Sequence, residues 1–230
     1  MRLQLLSKGY TNAKLAKSVT ESYILYLAPA SLNSLGINLC PGSTEGCRKA
    51  CLYTAGRGAM SNVQQARLRK ADWFVTDRSG FVKQLIAELT YLNKKGTVAV
   101  RLNGTSDIDW ENIINLSLFP QIQFYDYTKR PDRAISSVTE NWPSNYHLTY
   151  SASEVTRDSQ IARFIKAGIN VAMVFSGKEL PTQWNGVTVV SGDTTDERWK
   201  DTRGVIIGLL AKGQAKKDTS GFVRHNESAA

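Results

Sequence analysis

Apolar residues along this chain fall into short runs rich in β-branched and aromatic side chains, separated by longer stretches in which apolar positions recur every three or four residues. The short runs predict strands at 23–28, 97–103, 122–127, 146–151, 170–175, 187–191 and 204–210. Most are continuously apolar, the pattern of parallel strands buried on both faces. The longer stretches predict helices at 61–76, 79–95, 110–118, 131–139 and 156–166, the second capped by Ser79 and stopped at Lys94-Lys95-Gly96. Successive strands start at 97, 122, 146 and 170, so a strand–helix unit repeats every 24 or 25 residues. That alternation predicts right-handed crossovers and a parallel sheet. Six or seven such units predict a TIM-like parallel (β/α) barrel, complete or incomplete, over residues 1–230 as one domain. A doubly wound open sheet is the rival, although no Gly-x-Gly-x-x-Gly turn follows the first strand to support its dinucleotide-binding form.

With 42% apolar and 21% charged residues, the 230-residue chain has the composition of an ordinary globular domain, which excludes disorder and collagen. Lysine and arginine number 29 against 20 acidic residues, a net charge of +9. Such a field favours anionic partners, either nucleic acid or a small anionic substrate. No run approaches the roughly 20 apolar residues of a membrane span. The first eight residues are too short an apolar segment for a secretory leader, so the expected protein is neither exported nor membrane-bound.

All three cysteines lie within twelve residues, Cys40-Pro-Gly-Ser-Thr-Glu-Gly-Cys47-Arg-Lys-Ala-Cys51, in a Gly/Pro/Ser/Thr-rich loop at about 36–60 that follows the first main strand. An odd, clustered count argues against a disulfide framework and for a reducing compartment. Thiolates select zinc or iron–sulfur clusters over hard cations. The C-x6-C-x3-C spacing lacks the two-residue knuckle of structural zinc, and a fourth zinc ligand would have to be His147 or His225. Three cysteines without an evident fourth fit a [4Fe-4S] cluster with one iron open; zinc and unmetallated cysteines are the alternatives. Arg48, Lys49, Arg57 and the glycine amides of the loop are candidates to lower thiol pKa and to donate hydrogen bonds to sulfur. In position and cysteine count the loop resembles that of radical enzymes that cleave S-adenosylmethionine, whose usual spacing is C-x3-C-x2-C. That cofactor is therefore a candidate here.

On a parallel barrel, function sits at the C-terminal ends of the strands. Those ends here are unusually polar. Arg101 and Asn103 alternate with Val98, Val100 and Leu102 and lead into Asp107. Either Arg101 is a buried ion pair with Asp107 or Asp126, or it clamps a substrate anion. Later ends carry Asp126 and Lys129, Ser151 and Glu154, Asp193, and Lys212. Helix capping accounts for some hydroxyls and acids there but not for lysines. Arg101, Asn103, Asp107, Asp126, Lys129, Ser151, Glu154, Asp193 and Lys212 are the predicted lining of a site above Cys40, Cys47 and Cys51. Tyr125, Tyr127, Tyr150, Trp110 and Trp199 are read as core or rim packing, with base stacking as the second reading. No Ser-His-Asp order, phosphate loop or His-x-x-x-His motif is present, which leaves hydrolase and triphosphatase readings without a motif. The polar tail from about 213 carries Gly221-Phe222-Val223 as a docking anchor.

Asn12-Ala-Lys-Leu-Ala-Lys17, Cys40-Pro-Gly-Ser-Thr-Glu-Gly-Cys47, Cys51-Leu-Tyr-Thr-Ala-Gly-Arg-Gly58, Val100-Arg-Leu-Asn-Gly-Thr-Ser-Asp107, Phe124-Tyr-Asp-Tyr-Thr-Lys129 and Gly208-Leu-Leu-Ala-Lys-Gly213 together resemble the phage-encoded gene product eighty-eight type family. The resemblance implies a viral origin and action in the cytoplasm of an infected bacterium. It strengthens the view that the cysteine loop and the strand ends form one site, without naming a substrate. The expected protein is an iron–sulfur protein presenting a small anionic or nucleotide-like substrate to an open iron. The alternative is a zinc-containing nucleic-acid or base-exchange protein of the transglycosylase type.

Overall fold

A computed structural model describes residues 4–9 and 19–225; the motif at 12–17 lies outside them. All seven predicted strands form, as β2 (Ser22–Leu25), β3 (Val98–Arg101), β4 (Ile122–Thr128), β5 (Tyr146–Ser151), β6 (Val171–Phe175), β8 (Val187–Ser191) and β9 (Ile206–Leu210). Three short strands join them: β1 (Leu6–Lys8), β7 (Gln183–Trp184) and β10 (Val223–Arg224). Helices α2 (Ser61–Thr76), α3 (Arg78–Lys95), α4 (Pro131–Ser136) and α5 (Asp158–Lys166) match predicted segments, and a five-residue helix, α1 (Glu45–Lys49), lies inside the cysteine loop. Asp77, not Ser79, caps α3, accepting from Gly80 N at 2.9 Å. Gly96, at φ +123°, ends that helix in a conformation that side chains other than glycine's rarely adopt.

The expected barrel is not formed. The strands make one mixed, mostly parallel, open sheet in the order β1-β2-β3-β4-β5-β6-β9-β8-β7. Strands β2 to β6 follow sequence order, as the repeat predicts, but β9 then inserts between β6 and β8. The antiparallel strand β1 and the antiparallel pair β7–β8 occupy opposite ends, so the sheet does not close. One predicted helix is also missing. The 110–118 segment forms only two 3-10 turns, Trp110–Asn112 and Leu116–Leu118, because the Asn115 side chain accepts from Ser117 N and Pro120 follows.

One face of the sheet packs on helices. Phe74, Phe81, Leu85 and Leu89 of α2 and α3 bury Val98, Val100, Ile122 and Phe124, and Ile161 and Phe164 of α5 cover Tyr150, Val171 and Met173. On the other face, no helix layer is formed by the described residues; Ile24, Ala99 and Tyr125 are covered there by Trp199, which sits 5.0 Å from the Tyr125 ring. Trp110 is wholly buried beside Phe74, and Tyr150 lies 4.5 Å from Phe164, so the aromatics flagged above serve as packing. Strands β5 and β6 pair only at Tyr150–Val171 and Ser151–Ala172 and then diverge. Strand β10 enters that gap, pairing Val223 and Arg224 with Val174 and Phe175, so the C-terminal anchor docks as predicted. Among the described residues no helix is long and apolar enough to cross a membrane.

His147 lies near the start of β5, on the face away from the helices, with Thr149 as its hydrogen-bond neighbour. Burial, reinforced by Arg203 and Arg198, pushes its imidazole down to about 4. The unfolded chain, with a histidine pKa near ~6.5, takes up a proton that the folded chain refuses. This contribution to stability is therefore complete above about pH 6.5 and is lost as pH falls toward 4. The loss amounts to about 3 kcal/mol. His147→Gln is expected to remove that part of the acid sensitivity: urea midpoints at about pH 7 and about pH 4.5 converge relative to wild type, whereas an unchanged separation would contradict the assignment.

Candidate functional site

Because β2 to β6, β9 and β8 are parallel, the loops that follow them gather at one edge of the sheet, where ligands of open α/β sheets bind. The cysteine loop lies across this edge. Its start is tied to the ends of β2 and β3: Ala30 N donates to Cys40 Sγ at 3.3 Å, Cys40 Sγ lies 3.5 Å from Thr105 O, and Asp107 N donates to Leu39 O at 2.8 Å. Gly42 then abuts Lys129 and Arg130 beyond β4. Helix α1, which carries Cys47, is capped by Thr44, whose hydroxyl accepts from Cys47 N at 3.3 Å and donates to Glu154 beyond β5 at 2.7 Å; Glu154 also accepts from Gly46 N at 2.8 Å. Residue 46 must be glycine for this approach, since a Cβ there would meet the Glu154 carboxylate at 2.8 Å. Farther along, Ala50 packs with Ala211, Ala215 and Val223.

The three thiols are half-buried and close enough to perturb one another's ionisation. Burial pushes Cys40 up to about 12 and raises Cys47 and Cys51 as well, with Lys129 opposing the rise at the latter two. Unmetallated, they are neutral thiols at neutral pH, poor nucleophiles. Tyr53 N reaches Cys51 Sγ at 3.5 Å. Among the described residues no three His, Cys, Asp or Glu side chains are grouped so as to hold a metal ion. Neither histidine joins the thiols: His147 pairs with Thr149, and His225 with Ser176.

Of the nine predicted lining residues, Lys129, Glu154 and Asp107 lie near enough to the thiols to affect their ionisation, and Ser151 joins them through Lys129. Lys129 Nζ donates to Ser151 Oγ, Ser151 O and Ala152 O at 3.0–3.3 Å and lies 4.8 Å from the Phe222 ring. Burial lowers its pKa while Cys47, Asp107 and Glu154 oppose that fall. All three ammonium donors are therefore engaged within the protein. For Glu154, burial is outweighed by the bonds from Thr44 and Gly46 and by Lys129, which together hold its carboxyl below the usual range.

The others, and Asp107 with them, are taken up by structural bonds. Arg101 is an ion pair, as one reading expected, but its partners are Asp196 at 3.3 Å and Asp126 at 3.9 Å rather than Asp107, and its guanidinium lies over the Tyr127 ring. Asp126 accepts from Asn103 N at 2.7 Å and from Tyr146 OH at 2.9 Å. The Asn103 amide oxygen holds the following loop through Ser106 Oγ and Ile108 N. Asp107 receives Arg133 Nη1 at 3.0 Å, Lys129 N at 2.9 Å and Thr128 Oγ1 at 3.1 Å. Asp193 pairs with Lys212 at 2.6 Å. Sequence reasoning missed Arg133, the partner of Asp107, Glu111 and Tyr146. Arg67 was likewise not singled out, although this arginine is 9% exposed and borders Cys51. A surface cleft of about 620 Å³ lies elsewhere, between α4 and the β3–β4 connection, and its Asp109, Glu111, Arg130 and Arg133 pair with one another.

The family model described as Gene product 88 matches residues 4–226. No curated protein and no solved structure matches the chain.

Asp107 is the test of how the edge is held. Asp107→Asn weakens the bonds to Arg133 and Lys129 N and is expected to cost about 2 kcal/mol in chemical denaturation. Glu45→Gln, which removes an exposed pair with Lys49, is expected to leave the denaturation midpoint unchanged. Equal effects of the two substitutions would contradict this assignment of roles.

Proposed function

We propose that this chain, which belongs to the Gene product 88 family, is an iron–sulfur protein whose Cys40, Cys47 and Cys51 hold a [4Fe-4S] cluster with one iron left for a small anionic or nucleotide-like substrate. One observation carries the reading: the loop brings its three thiols together over the C-terminal edge of the sheet, beside the ammonium of Lys129. Half-buried thiols with raised pKa suit ligation better than nucleophilic attack.

The surroundings fit such a group. Backbone amides of Ala30 and Tyr53 donate to two of the sulfurs, the kind of bond that tunes metal thiolates. Lys129, held rigidly by Ser151 and Ala152, offsets negative charge without needing to move. Glu154 fixes the helix that carries Cys47. When bound, the cluster supplies a Lewis-acidic or electron-donating iron at this edge. The protein's own part is to position ligands, balance charge and present the substrate. The place of action is the cytoplasm of the infected bacterium, where thiols stay reduced.

Anaerobically purified protein is expected to carry about four irons and four sulfides per chain with a broad visible absorption, and Cys47→Ala to lose them while keeping its thermal unfolding transition. Stoichiometric zinc without sulfide, or no metal in either protein, would overturn the reading; the zinc result would point to salt-dependent nucleic-acid binding.

A further inference from the structure

Arg67 is a buried cation without a counterion among the described residues. It projects from α2, is 9% exposed, and both its Nε and its Nη1 are buried with no hydrogen-bond partner. Its guanidinium lies 4.5 Å from the centre of the Tyr26 ring and 5.6 Å from that of Tyr53. Ring contacts engage the faces of a guanidinium and leave its in-plane N–H donors free. Among the described residues, the ionisable groups near enough to interact with it are Tyr26, Tyr53, the thiol of Cys51 and the ammonium of Lys70; no carboxylate is among them.

This differs from the treatment of the other buried arginines. Arg101 faces Asp196 and Asp126, Arg133 faces Asp107 and Glu111, and Arg198, whose Nε and Nη1 also lack a hydrogen-bond partner, still has the carboxylate of Asp201 at 3.1 Å. A buried charge left unpaired is costly, and such groups persist where a ligand completes them. Gly58 adds a second observation. A Cβ there would come within 3.3 Å of Arg67 Nη1 and 2.8 Å of Leu52 O, so only glycine lets this backbone approach the guanidinium so closely. The segment covering it is only two 3-10 turns, Leu52–Thr54 and Gly56–Ala59, and Leu52 itself is exposed.

We propose that Arg67 binds an oxyanion, the carboxylate or phosphate of a small substrate, and seats it against Cys51 at the cysteine loop. The proposal deepens the iron–sulfur reading by naming the substrate's anchoring group, yet the anion site itself requires no iron. Lys129 cannot substitute for it, since its three donors already meet Ser151 and Ala152.

The test uses the purified full chain, wild type and Arg67→Met, in thermal unfolding titrated with inorganic phosphate and, separately, with malonate, each against chloride at matched ionic strength. Wild type is expected to show a saturable rise in midpoint with at least one anion, and which one distinguishes phosphate from carboxylate. Arg67→Met is expected to lose at least about tenfold in apparent affinity. Without anion its midpoint is expected to equal or exceed that of wild type, because an unpaired buried charge has been replaced by an apolar chain. Arg67→Lys, which keeps the charge but not the planar fork, is expected to fall between them. No saturable shift in wild type, or the same shift in Arg67→Met, would overturn the proposal. Iron and sulfide measured on the same samples separate the two readings: iron-free protein with an Arg67-dependent shift sustains the anion site alone, and iron-loaded protein without a shift removes the anion site alone.

Discussion

The carboxylate of Asp107 holds the ends of two strands, a helix and the cysteine loop in one arrangement. One oxygen meets Arg133 of α4; the other accepts from Lys129 N and Thr128 Oγ1 at the end of β4; the backbone N–H of the same residue binds Leu39 O, immediately before Cys40. Both members of the ion pair are buried, so losing either strands a charge. From this point the dependence runs outward. Fixing the Lys129 backbone lets its side chain reach Ser151 and Ala152 on the next strand end, and that loop presents Glu154 to Thr44 and Gly46 at the start of the helix bearing Cys47.

The net charge of +9 is thus not spread indifferently. Apart from Arg67, the buried cations are matched to oxygen: Lys70 to Leu5 O, Lys129 to Ser151 and Ala152, Arg101 and Arg133 to carboxylates. Polar residues that look like a substrate lining in the sequence are largely consumed in this internal pairing. Parallel strands end in frayed loops whose backbone and side-chain polar groups need partners once covered, and Asn103, Asp107 and Asp126 supply them.

The strands and their parallel order from β2 to β6 were legible because continuous β-branched runs at a near-constant interval report local strand–helix units. Closure was not legible. It depends on what pairs with the edges, and the strands that decide this are two or three residues long, as in β1 and β7, or depart from sequence order, as β9 does between β6 and β8. Apolar spacing at 110–118 imitated a helix, yet Asn115 offers its own backbone an alternative bond. Of the candidate site, the cysteine loop and the Lys129, Ser151 and Glu154 group were recoverable from position after strands. Arg67 was not, because within Arg67-Leu68-Arg69-Lys70 nothing local tells a buried arginine from a solvated one.

An open sheet changes what must organise the site. In a closed barrel the strands themselves fix the ring of loops. Here the cysteine loop does part of that work, bonding to the segments after β2, β3 and β5 and packing on those after β4 and β9. Strand β10 fills the gap left between β5 and β6, and Arg224 closes it by donating to Ser153 O and Thr156 O. The segment carrying the thiols is therefore held at many points before any ligand arrives. Ordering of a loop is a main cost of building a binding site, and a loop already fixed escapes most of it. The same bonds that stand in for barrel closure thus preorganise Cys40, Cys47 and Cys51, and fold stability and site geometry rest on one set of contacts.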